Sequence, residues 1–231
     1  MSIIKNIKSK LSSDSTEDLE RRYTTAELGI DLGEVSEGAM TVCRALQEHG
    51  YDGYLVGGCV RDWLLGLHPK DFDVATNATP EQVRPLFKRA RIIGRRFKLV
   101  HVHHRREMIE VATYRAAPGE ENSQHHKQSH TGRVLRDNVY GSLVEDALRR
   151  DFTANALYLD PIAGEVVDHQ GGVEDIQNHH LELIGDPDMR CAEDPVRMLR
   201  ALRFKAKLGF DIPAELDELI EKHQHHFSDV S

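Results

Sequence analysis

The sequence predicts a mixed α/β fold that passes into helices alone toward its C-terminal end. Two observations predict this. Between residues 36 and 184 short strand-like apolar runs alternate with segments of helical period, and glycine or proline punctuates most of the changes. From Cys191 onward the texture is continuously helical. At 231 residues, with 39% hydrophobic and 29% charged residues, the chain has room for one ordinary domain and part of another.

Residues 1–35 are polar, mixed in charge and without a usable period, which predicts a mostly disordered leader. Within it Ile3, Ile4, Ile7 and Leu11 fall at helical spacing, a short amphipathic helix or a frayed end. No apolar core or small-residue cleavage site of a secretory signal accompanies them. From Ser36 a helix follows through Ala39, Val42, Cys43 and Leu46, closed by Gly50. Tyr54-Leu55-Val56 is a buried strand, and Gly57-Gly58 turns it into a second helix carrying Arg61 and ending at Gly66. Strand, double glycine and helix start together suit a phosphate, although a tight turn alone also needs glycine.

Asp71-Phe72-Asp73-Val74 is the stretch that organises the chain. On a strand, residues two apart share a face about 6.6 Å apart, so Asp71 and Asp73 point together while Phe72 and Val74 turn into a core. Paired carboxylates suit hard divalent cations, the apparatus of phosphoryl transfer; alone, the pair equally fits a solvated strand edge. Thr79 as cap with Pro80 behind it opens a helix to about Lys88. Strands are predicted over 91–94, 98–103 and 107–114, and on the last Met108, Glu110 and Ala112 share one face. Glu110 becomes a third metal ligand if that strand lies beside Asp71 and Asp73.

Residues 116–132 lack an apolar period and predict a loop. A helix over 142–150 leads into Arg149-Arg150-Asp151-Phe152-Thr153, then come a strand at 165–168, a short helix at 173–178 and a strand at 181–184. Asp194 with Pro195 signals a helix start inside the run 191–204, on which Arg197, Arg200 and Arg203 step by three as a slowly turning basic ridge. Gly209 ends that helix and another spans 213–225.

Composition narrows the partners. A net charge of −8 argues against nucleic-acid binding by bulk basicity, yet every charged residue from Arg84 to Arg106 is positive. That stripe is either a polyanion footprint or a solvated surface. Cys43, Cys59 and Cys191 are far apart and odd in number, a reduced, cytoplasmic pattern. No run reaches the roughly 20 apolar residues of a membrane span, so no stable membrane insertion is expected. The 14 histidines lack a zinc-ligand frame.

Four motifs in order, Leu55-Val56-Gly57-Gly58-Cys59-Val60-Arg61-Asp62, Lys70-Asp71-Phe72-Asp73, Arg149-Arg150-Asp151-Phe152-Thr153 and Glu193-Asp194-Pro195-Val196-Arg197-Met198-Leu199-Arg200, resemble the class II template-independent nucleotidyltransferases of the DNA polymerase β superfamily. The resemblance covers about residues 36–212. The stretch Ile92-Ile93-Gly94-Arg95-Arg96-Phe97-Lys98-Leu99-Val100-His101-Val102 resembles the segment that marks bacterial poly(A) polymerases off from CCA-adding relatives. The resemblance implies an α/β palm with a mixed five-stranded sheet, as head domain over 36–170, and the start of a helical neck over 171–231. Relatives continue into helical body and tail regions, so the chain reads as truncated. The implied reaction adds AMP from ATP to RNA 3′ ends with two Mg²⁺ ions. Asp71 and Asp73 would bind both ions, with Glu110 as the third ligand, and Asp151 counts with the two aspartates as catalytic. Gly57, Gly58 and Arg61 would hold the triphosphate, and Arg150 and Asp151 the ribose and nucleotide. Asp194 and Arg197 would read the base edge, with Arg200 and Arg203 on phosphates. CCA addition and a catalytically silent RNA-binding module are the alternatives.

Overall fold

The computed structural model describes residues 20–94, 97–116, 127–128, 134–136 and 139–223. The strands are β1 (Arg21–Thr24), β2 (Tyr54–Val56), β3 (Asp73–Thr76), β4 (Ala90–Ile93), β5 (Leu99–His104), β6 (Glu107–Thr113), β7 (Lys127–Gln128), β8 (Val134–Arg136), β9 (Leu157–Asp160) and β10 (Glu165–Asp168). The helices are α1 (Glu37–Glu48), α2 (Gly58–Leu64), α3 (Pro80–Val83), α4 (Leu143–Arg149), α5 (Gly172–Gln177), α6 (Pro187–Glu193), α7 (Val196–Leu208) and α8 (Ala214–His223).

Eight strands form one sheet in the order β1-β10-β9-β2-β3-β6-β5-β4, and β7 pairs with β8 apart from it. The expected sheet was mixed and five-stranded. It is mixed, through the parallel pair β3–β6 amid antiparallel neighbours, but larger. One added strand comes from the predicted leader: Arg21, Arg22, Tyr23 and Thr24 pair with Asp168, Val167, Val166 and Glu165. The assignment of disorder therefore fails for residues 20–35. Their mostly polar side chains hid a strand specified by its edge ladder with β10, with Tyr23 alone of the strand packing against the core. Residues 1–19 lie outside the described chain.

The strand alternation splits the sheet into two faces. Leu55, Val74, Val100, Val111, Leu159 and Val166 are buried in a core with Ala39, Val42 and Leu46 of α1 and Cys59, Val60 and Trp63 of α2. On the other face Val56, Ala75, Tyr158 and Val167 pack with Ala147 of α4. Ser142 caps α4 in a reciprocal capping box with Glu145.

Several expected boundaries move for identifiable reasons. β3 begins at Asp73, so Asp71 and Phe72 lie on the approach to the strand. The helix after Thr79 stops at Val83 and tightens into a 3₁₀ turn over Arg84–Leu86, where Pro85 lacks the N–H that would continue it. The run 191–204 is two helices, α6 and α7. Asp194 between them is extended (φ −143°, ψ 97°), as expected of a residue before proline. Asp194 still accepts a hydrogen bond from the Val196 amide at 3.2 Å. The start of α6, capped by Asp186 with Pro187 behind it, repeats the signal seen at Asp194-Pro195 and was not predicted. The strand expected over 181–184 reduces to an isolated bridge between Leu183 and Phe152. Within the predicted loop, β7 is described and the remainder from 117 to 132, His125 and His126 included, lies outside the described residues. The final helix is described to His223.

Candidate active site

Two sheet neighbours hold the acids. β3 and β6 run parallel with Asp73 opposite Glu110, and residues opposite each other in a sheet project to one face. Phe72 and Val74 are buried behind them, 8% and 0% exposed, which fixes Asp73 on the open side. Burial pushes the Asp73 carboxyl above the ordinary carboxylate range, and the charges of Glu110 and Asp71 push the same way against Arg150. Glu110 and Asp71 are thus each close enough to Asp73 to oppose its ionisation. Glu110 also has His101 Nε2 at 3.2 Å from its Oε1.

Carboxylate oxygens are hard donors, the chemistry that divalent magnesium or manganese takes. Among the described residues, no group of three His, Cys, Asp or Glu side chains is arranged to hold a metal ion, so the expected set Asp71, Asp73 and Glu110 does not form a ready-made three-ligand site. The donor set suits an ion that keeps several of its waters, as Mg²⁺ does.

Beside Asp73 opens a cavity of about 500 Å³. Gly57, Gly58 and Arg61 line it from the β2–α2 turn, Arg150, Asp151 and Asn155 from the segment after α4, and Arg200, Arg203, Phe204 and Lys207 from α7. Five cations (Arg61, Arg150, Arg200, Arg203 and Lys207) face three acids (Asp62, Asp73 and Asp151), a balance that favours a polyanion. Gly57 has φ +73°, a conformation side chains resist, and a Cβ there would lie 3.6 Å from Arg150 Nη1.

Hydrogen bonds tie the walls together. Arg150 is enclosed: Nε and Nη2 donate to Asp146 Oδ2 at 3.3 and 3.1 Å, Nε also to the Tyr158 hydroxyl at 3.0 Å and Nη1 to the Asn155 carbonyl at 3.2 Å. Burial lowers its pKa, but Tyr158 and Asp146 outweigh that and hold the guanidinium firmly protonated. Asp151 Oδ1 accepts from the Phe152 amide (2.8 Å) and from Asn155 Nδ2 (3.1 Å), and its Oδ2 accepts from Arg200. Asn155 Oδ1 accepts from Arg61 Nη1 at 2.8 Å, and the Arg61 guanidinium lies 5.1 Å over the Phe204 ring. A continuous relay, Arg200–Asp151–Asn155–Arg61, therefore crosses the cavity from α7 to α2.

The predicted residues thus divide. Gly57, Gly58, Arg61, Asp73, Arg150, Asp151, Arg200 and Arg203 share the cavity. Asp194 and Arg197 line a second one, of about 230 Å³, with Phe97, Arg115, Arg149 and Glu193. Stepping by three along a helix of 3.6 residues per turn rotates each arginine by about 60°, which carries Arg197 off the face of Arg203. Arg197 Nη1 donates to Glu193 at 2.8 Å and to the Arg190 carbonyl at 2.8 Å. Burial raises the Glu193 pKa, but its hydrogen bonds and charge pairing with Arg197 and Arg190 bring it below the usual range. Arg149, buried among Arg115, Arg190 and Arg197, falls to about 10. Sequence reading missed Asn155, Lys207, Arg190 and Glu193. Two of these carried a signal: Lys207 lies four residues past Arg203 and seven past Arg200, one helical face, and Glu193 opens the fourth motif four residues before Arg197.

Known proteins share the fold on which the acids of β3 and β6 and the cationic cavity are set. The Bacillus stearothermophilus CCA-adding enzyme, solved in complex with CTP, superposes with a TM-score of 0.71 at 34% identity, over 84% of this chain and 45% of that one. The model of the poly A polymerase head domain matches residues 53–182, and the chain belongs to that family. The poly(A) polymerase I of Haemophilus influenzae is 51% identical over 195 residues, 81% of this chain and 43% of the relative. The CCA-adding enzyme of Bacillus pumilus is 41% identical over 193 residues, 84% and 46% respectively. The chain spans about half the length of the curated relatives it matches.

Proposed function

We propose that the chain carries the transfer centre of a template-independent polynucleotide adenylyltransferase, which adds AMP from ATP to an RNA 3′ end. The observation that carries this reading is Asp73, paired across the sheet with Glu110, standing at the rim of a cavity with five cations. Two Mg²⁺ ions held by Asp71, Asp73 and Glu110 would activate the RNA 3′-hydroxyl and neutralise the leaving pyrophosphate. The chain's own residues do the holding. Gly57 and Gly58 let the backbone approach the triphosphate, and Arg61, Arg200, Arg203 and Lys207 offset its charge. Arg150 contributes a fixed cation, locked by Asp146 and Tyr158. Asp151, with both oxygens engaged, orients Arg200 and Asn155 and through Asn155 sets Arg61. In this reading Asp194 and Arg197, the latter steadied by Glu193, hydrogen-bond the adenine edge from the second cavity.

Identity of 51% to a poly(A) polymerase I, against 41% to a CCA-adding enzyme, supports adenylyl transfer over CCA addition. The three cysteines are buried free thiols, which suits a reducing cytoplasm. Among the described residues no helix is long and apolar enough to cross a membrane. The test is primer extension on an unstructured RNA, each nucleoside triphosphate offered separately. ATP alone should extend the primer, and Asp73→Ala should lose more than about 100-fold, beyond the roughly 10–100-fold cost of removing an outer partner of a metal site. Equal use of CTP on a tRNA end would instead establish CCA addition, and full turnover by Asp73→Ala would refute the transfer centre.

A further inference from the structure

The cross-strand register continues past the acids. Asp73 lies opposite Glu110, Glu110 opposite His101 and His101 opposite Arg91, so one row on one face runs from β3 to the edge strand β4. Three strand spacings make it about 14 Å long. Met108 opposite His103 adds a second row two residues away on the same face. The reverse face at these strands is core, with Val74, Val100, Val102, Ile109 and Val111 all buried.

On the open face Arg91 and His103 are exposed and Met108 is 46% exposed. The cluster that packs α4 on this face takes in Val56, Ala75, Tyr158 and Val167, from strands β2, β3, β9 and β10. It includes nothing from β4 or β5. His101 is partly buried, and its Nε2 is shielded from solvent without a well-aligned hydrogen bond. Within the cationic stripe, Lys98 is paired with Glu81 and Arg105 with Glu37. Among the described residues no acid pairs with Arg91.

Asp73 borders the cavity, whereas Glu110, His101 and Arg91 lie on the sheet away from it. The acids thus stand between two surfaces, and a transfer reaction needs two substrates, one on either side of its acids. We propose that the strip formed by Met108, His101, His103 and Arg91 seats the last nucleotides of a single RNA strand, with its 3′-hydroxyl at Asp73 and Glu110. The inference deepens the adenylyl-transfer reading and rests on it. Single-stranded RNA is held by stacking of its bases on flat or polarisable side chains and by cations on its phosphates. The imidazoles and the thioether supply the first and Arg91 the second. A protein partner would need an interface of about 1,000 Å² or more with an apolar centre, and Met108 is the one large apolar side chain exposed on the strip.

The test uses the whole 231-residue chain without ATP. An unstructured RNA with 4-thiouridine at its 3′ end is photo-crosslinked and the modified peptide mapped. RNA affinity is titrated against salt for the unsubstituted chain, Arg91→Glu and His103→Ala. Crosslinks are expected within residues 99–112. Arg91→Glu should weaken RNA binding about tenfold, with the slope of log affinity against log salt reduced by about one. Thermal unfolding unchanged from the parent chain confirms that both variants fold. Crosslinks confined to α7 or α8, no crosslink at all, RNA affinity indifferent to both substitutions, or equal competition by duplex RNA would each overturn the proposal. A fluorescent ATP analogue titrated in parallel reads the cavity. Loss of its binding in the unsubstituted chain would count against the adenylyl-transfer reading, whatever the crosslinks show.

Discussion

The surroundings of Asp73 oppose its ionisation. Its carboxyl is raised by burial first and by Glu110 and Asp71 next. The folded chain therefore keeps that proton to higher pH than the unfolded chain does. Stability falls as pH rises from the ordinary carboxylate range of about 4 through the raised value, and above it the penalty is complete. Asp73→Asn should raise the melting temperature at pH 7, with the gain closing below about pH 4; an unchanged or pH-independent melting temperature would contradict this. Asn155 makes the opposite kind of contribution. Truncation to alanine strips a partner from both Asp151 and Arg61, and the expected loss is about 1–3 kcal/mol in denaturant unfolding, with weaker ATP binding. Asp73 and Glu110 were legible because a period of two and one acid amid apolar residues announce a face. Asn155 was not, since its partners come from α2 and from a preceding turn that no periodicity joins.

At the scale of elements, the β2–α2 turn and the α6–α7 break set the geometry. The turn depends on Gly57 at φ +73°, beside Arg150. Gly57→Ala should cost about 1–2 kcal/mol, a drop of roughly 2–8 °C in melting temperature for a domain of this size, together with loss of triphosphate binding. A melting temperature equal to that of the parent chain would show that the turn tolerates a side chain. At the break, Pro195 ends α6 and Arg190 closes the join. Its Nη2 donates to the carbonyls of Arg149 and Arg150, at 2.8 and 2.6 Å, just where α4 ends. The helix start at Asp194-Pro195 was legible. The helix before it was masked because helical period continues across the proline, and period alone does not report an extended residue.

For the whole molecule, the C-terminal helices form one wall of the site. Phe204 of α7 packs on Phe152 at 5.2 Å and on Phe210 at 5.4 Å between ring centroids. That packing turns Arg200, Arg203 and Lys207 toward the cavity. The parallel β3–β6 pair, which brings the acids together, joins segments more than thirty residues apart. Its local strands could be read from the sequence, but their order could be inferred only by resemblance. The outer strand β1 was missed for a related reason: a short polar edge strand is specified by its partner β10 and leaves no pattern of its own.

The central claim is that the acids and the cationic cavity form one site for a metal-bound nucleoside triphosphate. The most direct measurement is calorimetric titration of ATP into the chain with and without Mg²⁺, repeated for Asp73→Asn. The account predicts saturable binding that Mg²⁺ strengthens in the parent chain, with most of that strengthening lost in Asp73→Asn. Affinity that is the same with and without Mg²⁺, or that gains equally from Mg²⁺ in both chains, would contradict it.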